Sequence, residues 1–309
     1  MKRFIKILII FTIGLFGLAF VIDHIISTKL QKLTTSLMFA GWNDIYSGKI
    51  NSDIIIMGNS RAWAQYNPLI LDSILNVNSY NLGIDGSPIN RQIIKYNTYQ
   101  RFNIKPKYII QNIDMITIAI HGGYQREQFF PYFFDDSLKT AISHYEHFNV
   151  LEKYIPCFRY IGYNVVKQSL GIGNTQKENI IKGYKGNDTN EWDGKKHNEQ
   201  KEIHYGQDSM ALSLFDKYLS KAHAENIKVI FVYAPIYIGA TQKVKNIEGM
   251  YAMYDSIAKK YDIPILDYNY DPISYDTAYF YNATHLNKTG SELFTTKLAH
   301  DIDSLGIMK

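Results

Sequence analysis

The chain has 309 residues, is 46% hydrophobic and carries a formal net charge of +4. That is enough apolar material for the core of a large domain, and without a long Lys/Arg run it gives no support to nucleic-acid binding. The single cysteine, Cys157, excludes an internal disulfide, and no motif calls for a cofactor.

The first predicted element is apolar. Ile7 to Ile22 is uninterrupted by charge, with Lys2, Arg3 and Lys6 before it and Asp23 after it. With Phe4 and Ile5 the stretch has the length that spans a bilayer. Its basic flank keeps the N-terminus in the cytoplasm and places the rest outside. A cleaved signal peptide is the rival reading, but Phe20-Val21-Ile22-Asp23 stands where a small-x-small site would be. The expected organisation is a transmembrane anchor over 1–24, an amphipathic stalk over 25–50 with Leu30, Leu33 and Leu37 as its apolar positions, and an extracytoplasmic domain over 51–309. The membrane is thus an expected partner.

Asp53 to Met57 is a β-branched run closed by Gly58, the pattern of a strand buried on both faces. Pro68 demands a kink or a fresh start in the helix that follows. Further strands are predicted at Val77–Leu82, Tyr108–Ile113, Val229–Tyr233 and Ile263–Leu266. Helical patterns fill Ile89–Phe102, Ser209–Glu225, Met250–Tyr261 and Lys288–Ser304. This alternation predicts a three-layer α/β/α, flavodoxin-like sandwich around a mainly parallel five-stranded sheet.

The alternation breaks over about 115–207. That insertion carries Tyr124, Phe129, Phe130, Tyr132, Phe133, Phe134, Tyr145, Phe148, Tyr154, Phe158 and Tyr160. A long insertion of this kind is read either as a substrate wall or as a small helical subdomain packing its own aromatics. His144 and His147 have helical i, i+3 spacing but no identifiable third ligand, so they are read as a solvated face. His121, His197 and His204 are scattered through the same region as surface or wall residues.

Ser60 follows the first strand at the carboxyl edge of the sheet, where ligands bind in doubly wound folds. A serine at a helix start is commonly an N-cap; as a nucleophile it needs a base. His285, in the segment Phe280-Tyr281-Asn282-Ala283-Thr284-His285-Leu286-Asn287 before the last helix, can return beside it.

Three segments resemble blocks of the SGNH (GDSL-like) hydrolase superfamily: Gly58-Asn59-Ser60, Asn81-Leu82-Gly83-Ile84-Asp85-Gly86-Ser87, and the segment around His285-Leu286-Asn287. The resemblance implies that Ser60 is nucleophile and His285 base, with oxyanion donors from the N–H groups of Ser60 and Gly86 and from Asn112. The family's third block, Gly-x-Asn-Asp, is replaced here by Gln111-Asn112-Ile113-Asp114. The family's Asp three residues before the histidine is replaced by Asn282, so Asp114, Asp271 and Asp276 are considered as substitute carboxylates and Arg61 as a salt-bridge partner or substrate contact. An anchored domain of this kind is similar to membrane-tethered members acting on envelope polymers. It implies an esterase or O-acyltransferase whose partners are an acylated carbohydrate or small ester and a membrane-bound acyltransferase. A non-catalytic glycan binder or scaffold is the alternative.

Overall fold

The structure is a computed structural model that describes residues 1–118, 125–172, 179–186, 189–194, 202 and 204–308. His121, Tyr124 and His197 lie outside the described residues. In chain order, α1 (Lys2–Leu30) and α2 (Leu37–Ser47) are followed by β1 (Ile54–Met57), α3 (Ser60–Gln65), α4 (Pro68–Leu75), β2 (Ser79–Asn81), α5 (Ile89–Phe102) and β3 (Tyr108–Asn112). Next come α6 (Asp136–Ser143), α7 (Val150–Tyr154), α8 (Val165–Ser169), β4 (Ile180–Ile181) and β5 (Tyr184–Lys185). The chain closes with α9 (Ser209–Ala224), β6 (Lys228–Tyr233), α10 (Ile238–Gln242), α11 (Ile247–Tyr261), β7 (Ile265–Asp267), β8 (Phe280–Asn282), β9 (His285–Leu286) and α12 (Lys288–Ser304).

These elements form two compact units, Met1–Asn43 with Gly122–Lys177, and Asp44–His121 with Glu178–Lys309. The second holds a five-stranded sheet in the order β2-β1-β3-β6-β7, every neighbouring pair parallel. This is the flavodoxin-like order, and it fulfils the expected α/β architecture. The chain moves one way from β1 to β2 and the other way to β3, so a crevice opens at the carboxyl ends of β1 and β3. β1 is buried along its whole length, as a parallel strand covered on both faces must be. Its Ile54 and Ile56 join Ile110, Ile230, Val232, Phe294 and Leu298 in one core. The register pairs Met57 with Gln111, which brings Gly58 against Asn112.

Pro68 begins α4 rather than kinking α3, with Asn67 capping the new start. Two antiparallel ribbons were not foreseen: β4–β5, and the β8–β9 hairpin, which pairs Asn282 with His285. His285 therefore sits in a hairpin rather than an irregular loop.

The first unit is helical. Among the described residues only α1 is long and apolar enough to cross a membrane. At 1.5 Å per residue it is about 43 Å long, and it runs without a break through residues 25–30 of the expected stalk. The insertion's aromatics make this unit's own core: Phe129, Phe130, Tyr132, Phe133, Phe148 and Tyr160 are buried. Phe130 meets Phe133, Phe148, Tyr160 and Tyr163 edge-on, and Trp42 meets Phe129. Buried rings cannot face a substrate, so the subdomain reading of these residues replaces the wall. α6 ends at Ser143, so His144 and His147 fall in the turn beyond it rather than on a helix.

Candidate active site

The second unit brings Ser60, His285 and Asn282 into one chain of hydrogen bonds. Gly58 makes the turn that starts it. Its φ is +151°, and a Cβ there would come within 2.6 Å of Ala62 Cβ and 2.8 Å of Asn112 Cβ. Only glycine lets β1 leave the sheet this tightly packed. Asn59 then caps α3, accepting from Arg61 N–H at 3.0 Å, so the capping role falls to Asn59 and leaves the Ser60 side chain for other work.

Ser60 Oγ lies 2.8 Å from His285 Nε2, and His285 Nδ1 lies 3.0 Å from Asn282 Oδ1. The proton positions follow from one further contact. The Thr284 backbone N–H, which can only donate, meets the same Asn282 atom at 3.0 Å, so that atom is the amide oxygen. An amide oxygen only accepts, so His285 carries its proton on Nδ1 and turns the Nε2 lone pair to the serine hydroxyl. The Thr284 hydroxyl, 3.2 Å from Asn282 Oδ1 and 3.1 Å from His285 Nδ1, braces the junction. The β8–β9 hairpin makes this possible: its two-residue turn sets Asn282 and His285 opposite each other, and Asn282 closes an Asx turn on Thr284.

The electrostatics are unusual for a base. Desolvation, then the charges of Arg61 and Lys185, hold the His285 pKa down at about 4 rather than 6.5, with Asp114 opposing. Lys185 Nζ stands 5.0 Å over the Trp63 ring and 5.6 Å over the Tyr281 ring. Tyr281 in turn stacks on His285, with ring centroids 5.4 Å apart. Trp63, Lys185, Tyr281 and Thr284 were not singled out from the sequence. Thr284 alone carried a local signal, as the hydroxyl residue of an Asn-x-Thr turn.

Asp114 lies in the crevice but does not reach the histidine. It is buried and forms an ion pair with Arg61 at 3.0 Å. The same oxygen accepts from Asn59 at 2.5 Å and Asn112 at 3.2 Å, and the other takes the N–H groups of Ile116 and Thr117 at 2.8 and 3.0 Å. Its carboxylate is thus the hub that ties the end of β3 to the start of α3. Arg61 is held by that pair. Asn112 is fully buried, accepts from the Tyr66 hydroxyl at 2.8 Å and directs its amide N–H at Asp114. Asp271 caps the turn at Ile273 and pairs with Lys297, while Asp276 caps Ala278.

The loop after β2 comes close to the nucleophile's helix. A Cβ on Gly83 would sit 2.5 Å from Trp63 N, and Ile84 N–H donates to Gly58 O at 3.1 Å. Asn81 fastens the loop to α3 by donating to the carbonyls of Ala62 and Tyr66 at 2.7 and 3.0 Å. Buried Lys95, its pKa pushed down to about 7 by desolvation, donates to Gly83 O at 3.3 Å. Gly86 is exposed with φ +56° and has open space where a Cβ would be. Among the described residues no group of three or more His, Cys, Asp or Glu could hold a metal.

No protein-family model and no curated protein matches the chain. Among solved structures, it is similar to an acetyl xylan esterase, AlAXEase, at 12% identity and a TM-score of 0.42, over 82% of this chain and 98% of that one. A GDSL-like lipase from Bacteroides thetaiotaomicron is similar at 12% identity and a TM-score of 0.38, over 80% and 87% of the two chains. A protein described as a lipolytic member of the G-D-S-L family from Desulfitobacterium hafniense gives 11% identity and a TM-score of 0.40, over 80% and 97%. At such identities and TM-scores these are distant resemblances.

Proposed function

We propose that the protein is a serine esterase or O-acyltransferase of SGNH type, held at the membrane by α1 with its sheet unit on the extracytoplasmic side. The observation that carries this reading is the Ser60–His285–Asn282 chain, with 2.8 and 3.0 Å links, at the crevice of the parallel sheet. Ser60 Oγ attacks an ester carbonyl while His285 Nε2 takes its proton. The carbonyl oxygen becomes an oxyanion, met by the N–H groups of Ser60 and Gly86; Asn112 contributes only if its amide leaves Asp114. His285 then returns the proton to the departing alcohol oxygen, leaving an acyl-Ser60 ester. Water, or a sugar hydroxyl in the transferase case, completes the cycle by the same steps.

The basic residues Lys2, Arg3 and Lys6 favour the outward orientation, and a tethered enzyme suits acylated carbohydrate polymers at the cell envelope. A membrane-bound acyltransferase would be the natural donor partner in the transferase case. The test is turnover of small acetyl esters by the wild type and by Ser60→Ala: the variant loses turnover, and equal rates would refute the reading.

One observation favours a second reading. His285 is desolvated, stands near two cations and faces an uncharged amide, and is correspondingly hard to charge. A domain that binds an acylated glycan without cleaving it would tolerate that arrangement. Measurable turnover that depends on both Ser60 and His285 would rule it out.

A further inference from the structure

We propose that the helical unit, Met1–Asn43 with Gly122–Lys177, seats on the outer bilayer interface beside α1, so that a foot as well as a spanning helix holds the protein. This inference rests on reading α1 as a membrane span. The apolar stretch of α1 ends at Ile22, so Asp23 marks the level at which hydrocarbon gives way to headgroups. The unit grips α1 there. Cys157 donates from its backbone N–H to Asp23 at 2.7 Å and from its thiol to the Ala19 carbonyl at 3.3 Å. Arg159 pairs with the other Asp23 oxygen at 2.5 Å and reaches Ser27 Oγ at 3.2 Å. The segment 157–159 therefore lies against residues 19–27 of α1, alongside its last apolar turn rather than beyond it.

Two properties of this level fit a lipid surface. The first is charge. Asp23 and Arg159 are both largely buried and neutralise each other, and the Arg159 guanidinium lies 4.8 Å over the Tyr160 ring. Seating this pair in the headgroup region thus leaves neither of its charges unpaired, and Arg and Tyr suit that region. The second is apolar exposure. Phe129, Phe130, Tyr132, Phe133, Phe148 and Tyr160 are packed inside the unit, whereas Phe134 is 66% and Ile161 68% exposed. Phe134 shares a cleft of about 340 Å³ with Phe20, Asp23, His24 and Arg159, which fixes it beside the end of the span. Continuity with α1 is what assigns the bilayer, rather than a soluble partner, to this surface.

The test uses the full chain in nanodiscs of phosphatidylethanolamine and phosphatidylglycerol, on a Cys157→Ser background. Nitroxides are attached singly at Ile13→Cys, Phe134→Cys and Ile161→Cys, and their collision rates with oxygen and with a water-soluble nickel chelate are compared. The expected result is a several-fold excess of oxygen over nickel accessibility at 134 and 161, and a larger excess at 13. Nickel accessibility at 134 and 161 equal to that of a fully hydrated label, with 13 still protected, would overturn the foot and leave the span standing. Full nickel accessibility at all three would overturn both.

Discussion

The sharpest perturbation is Asn282→Asp. It exchanges an amide oxygen 3.0 Å from His285 Nδ1 for a carboxylate in the same place, where Thr284 already supplies two donors, N–H at 3.0 Å and Oγ at 3.2 Å. Two unit charges at 4 Å attract by ~4 kcal/mol at an effective dielectric of 20 and by ~1 kcal/mol in water. Asn282 is partly buried, so ~2–3 kcal/mol is the reasonable stabilisation of the imidazolium formed as Ser60 attacks. At 1.36 kcal/mol per tenfold, kcat/KM for a small acetyl ester rises by ~30- to 150-fold, and the acid limb of its pH profile moves up by ~2 pH. Steady-state hydrolysis from pH 3.5 to 8.5 measures both effects at once. A folded Asn282→Asp protein with unchanged turnover and an unmoved acid limb would refute the inference that His285 is the base and that its partner's missing charge limits it.

In the wild type, His285 is active when neutral and its pKa is about 4, so kcat/KM stays level as pH falls through 6.5 and drops only near 4; a limb at 6.5 would show an ordinary imidazole. Asp114→Ala strands buried Arg61 and the amides of Asn59 and Asn112, which costs about 3–5 kcal/mol in urea unfolding. Gly58→Ala places a methyl within 2.8 Å of both Ala62 and Asn112 Cβ atoms; it loses about 2 kcal/mol or more, and turnover falls as Ser60 shifts.

The sheet was legible because its strands are buried on both faces and therefore read as continuous apolar runs: Ile54-Ile55-Ile56-Met57 needs no alternation to be recognised. Helices with complete patterns were equally plain, and the expected limits Ile89–Phe102 and Lys288–Ser304 coincide with α5 and α12. Outside the motif segments, partners distant in sequence were not legible. Asp23 was readable as the end of the apolar stretch, but its pairing with Arg159, 136 residues on, was not. Aromatic composition could not separate a substrate wall from a core, and Phe129 and Phe130 are core because Trp42 and Tyr160 come to meet them. At the site, Ser60 and His285 were readable from motif and order. The hub role of Asp114 and the placement of Lys185 over Trp63 and Tyr281 were not, since each depends on strand register or on a two-residue ribbon too short to have a periodicity.

Ser60 as a nucleophile activated by His285 is open to a chemical probe. The decisive measurement is labelling with a fluorophosphonate followed by peptide mapping, because phosphonylation needs the activated hydroxyl but no knowledge of the natural substrate. One adduct is expected, on the peptide containing Ser60, absent in Ser60→Ala and slowed at least ~100-fold in His285→Ala. A folded wild-type protein that takes up no label, or one labelled no faster than His285→Ala, would mean that Ser60 is not a nucleophile activated by His285.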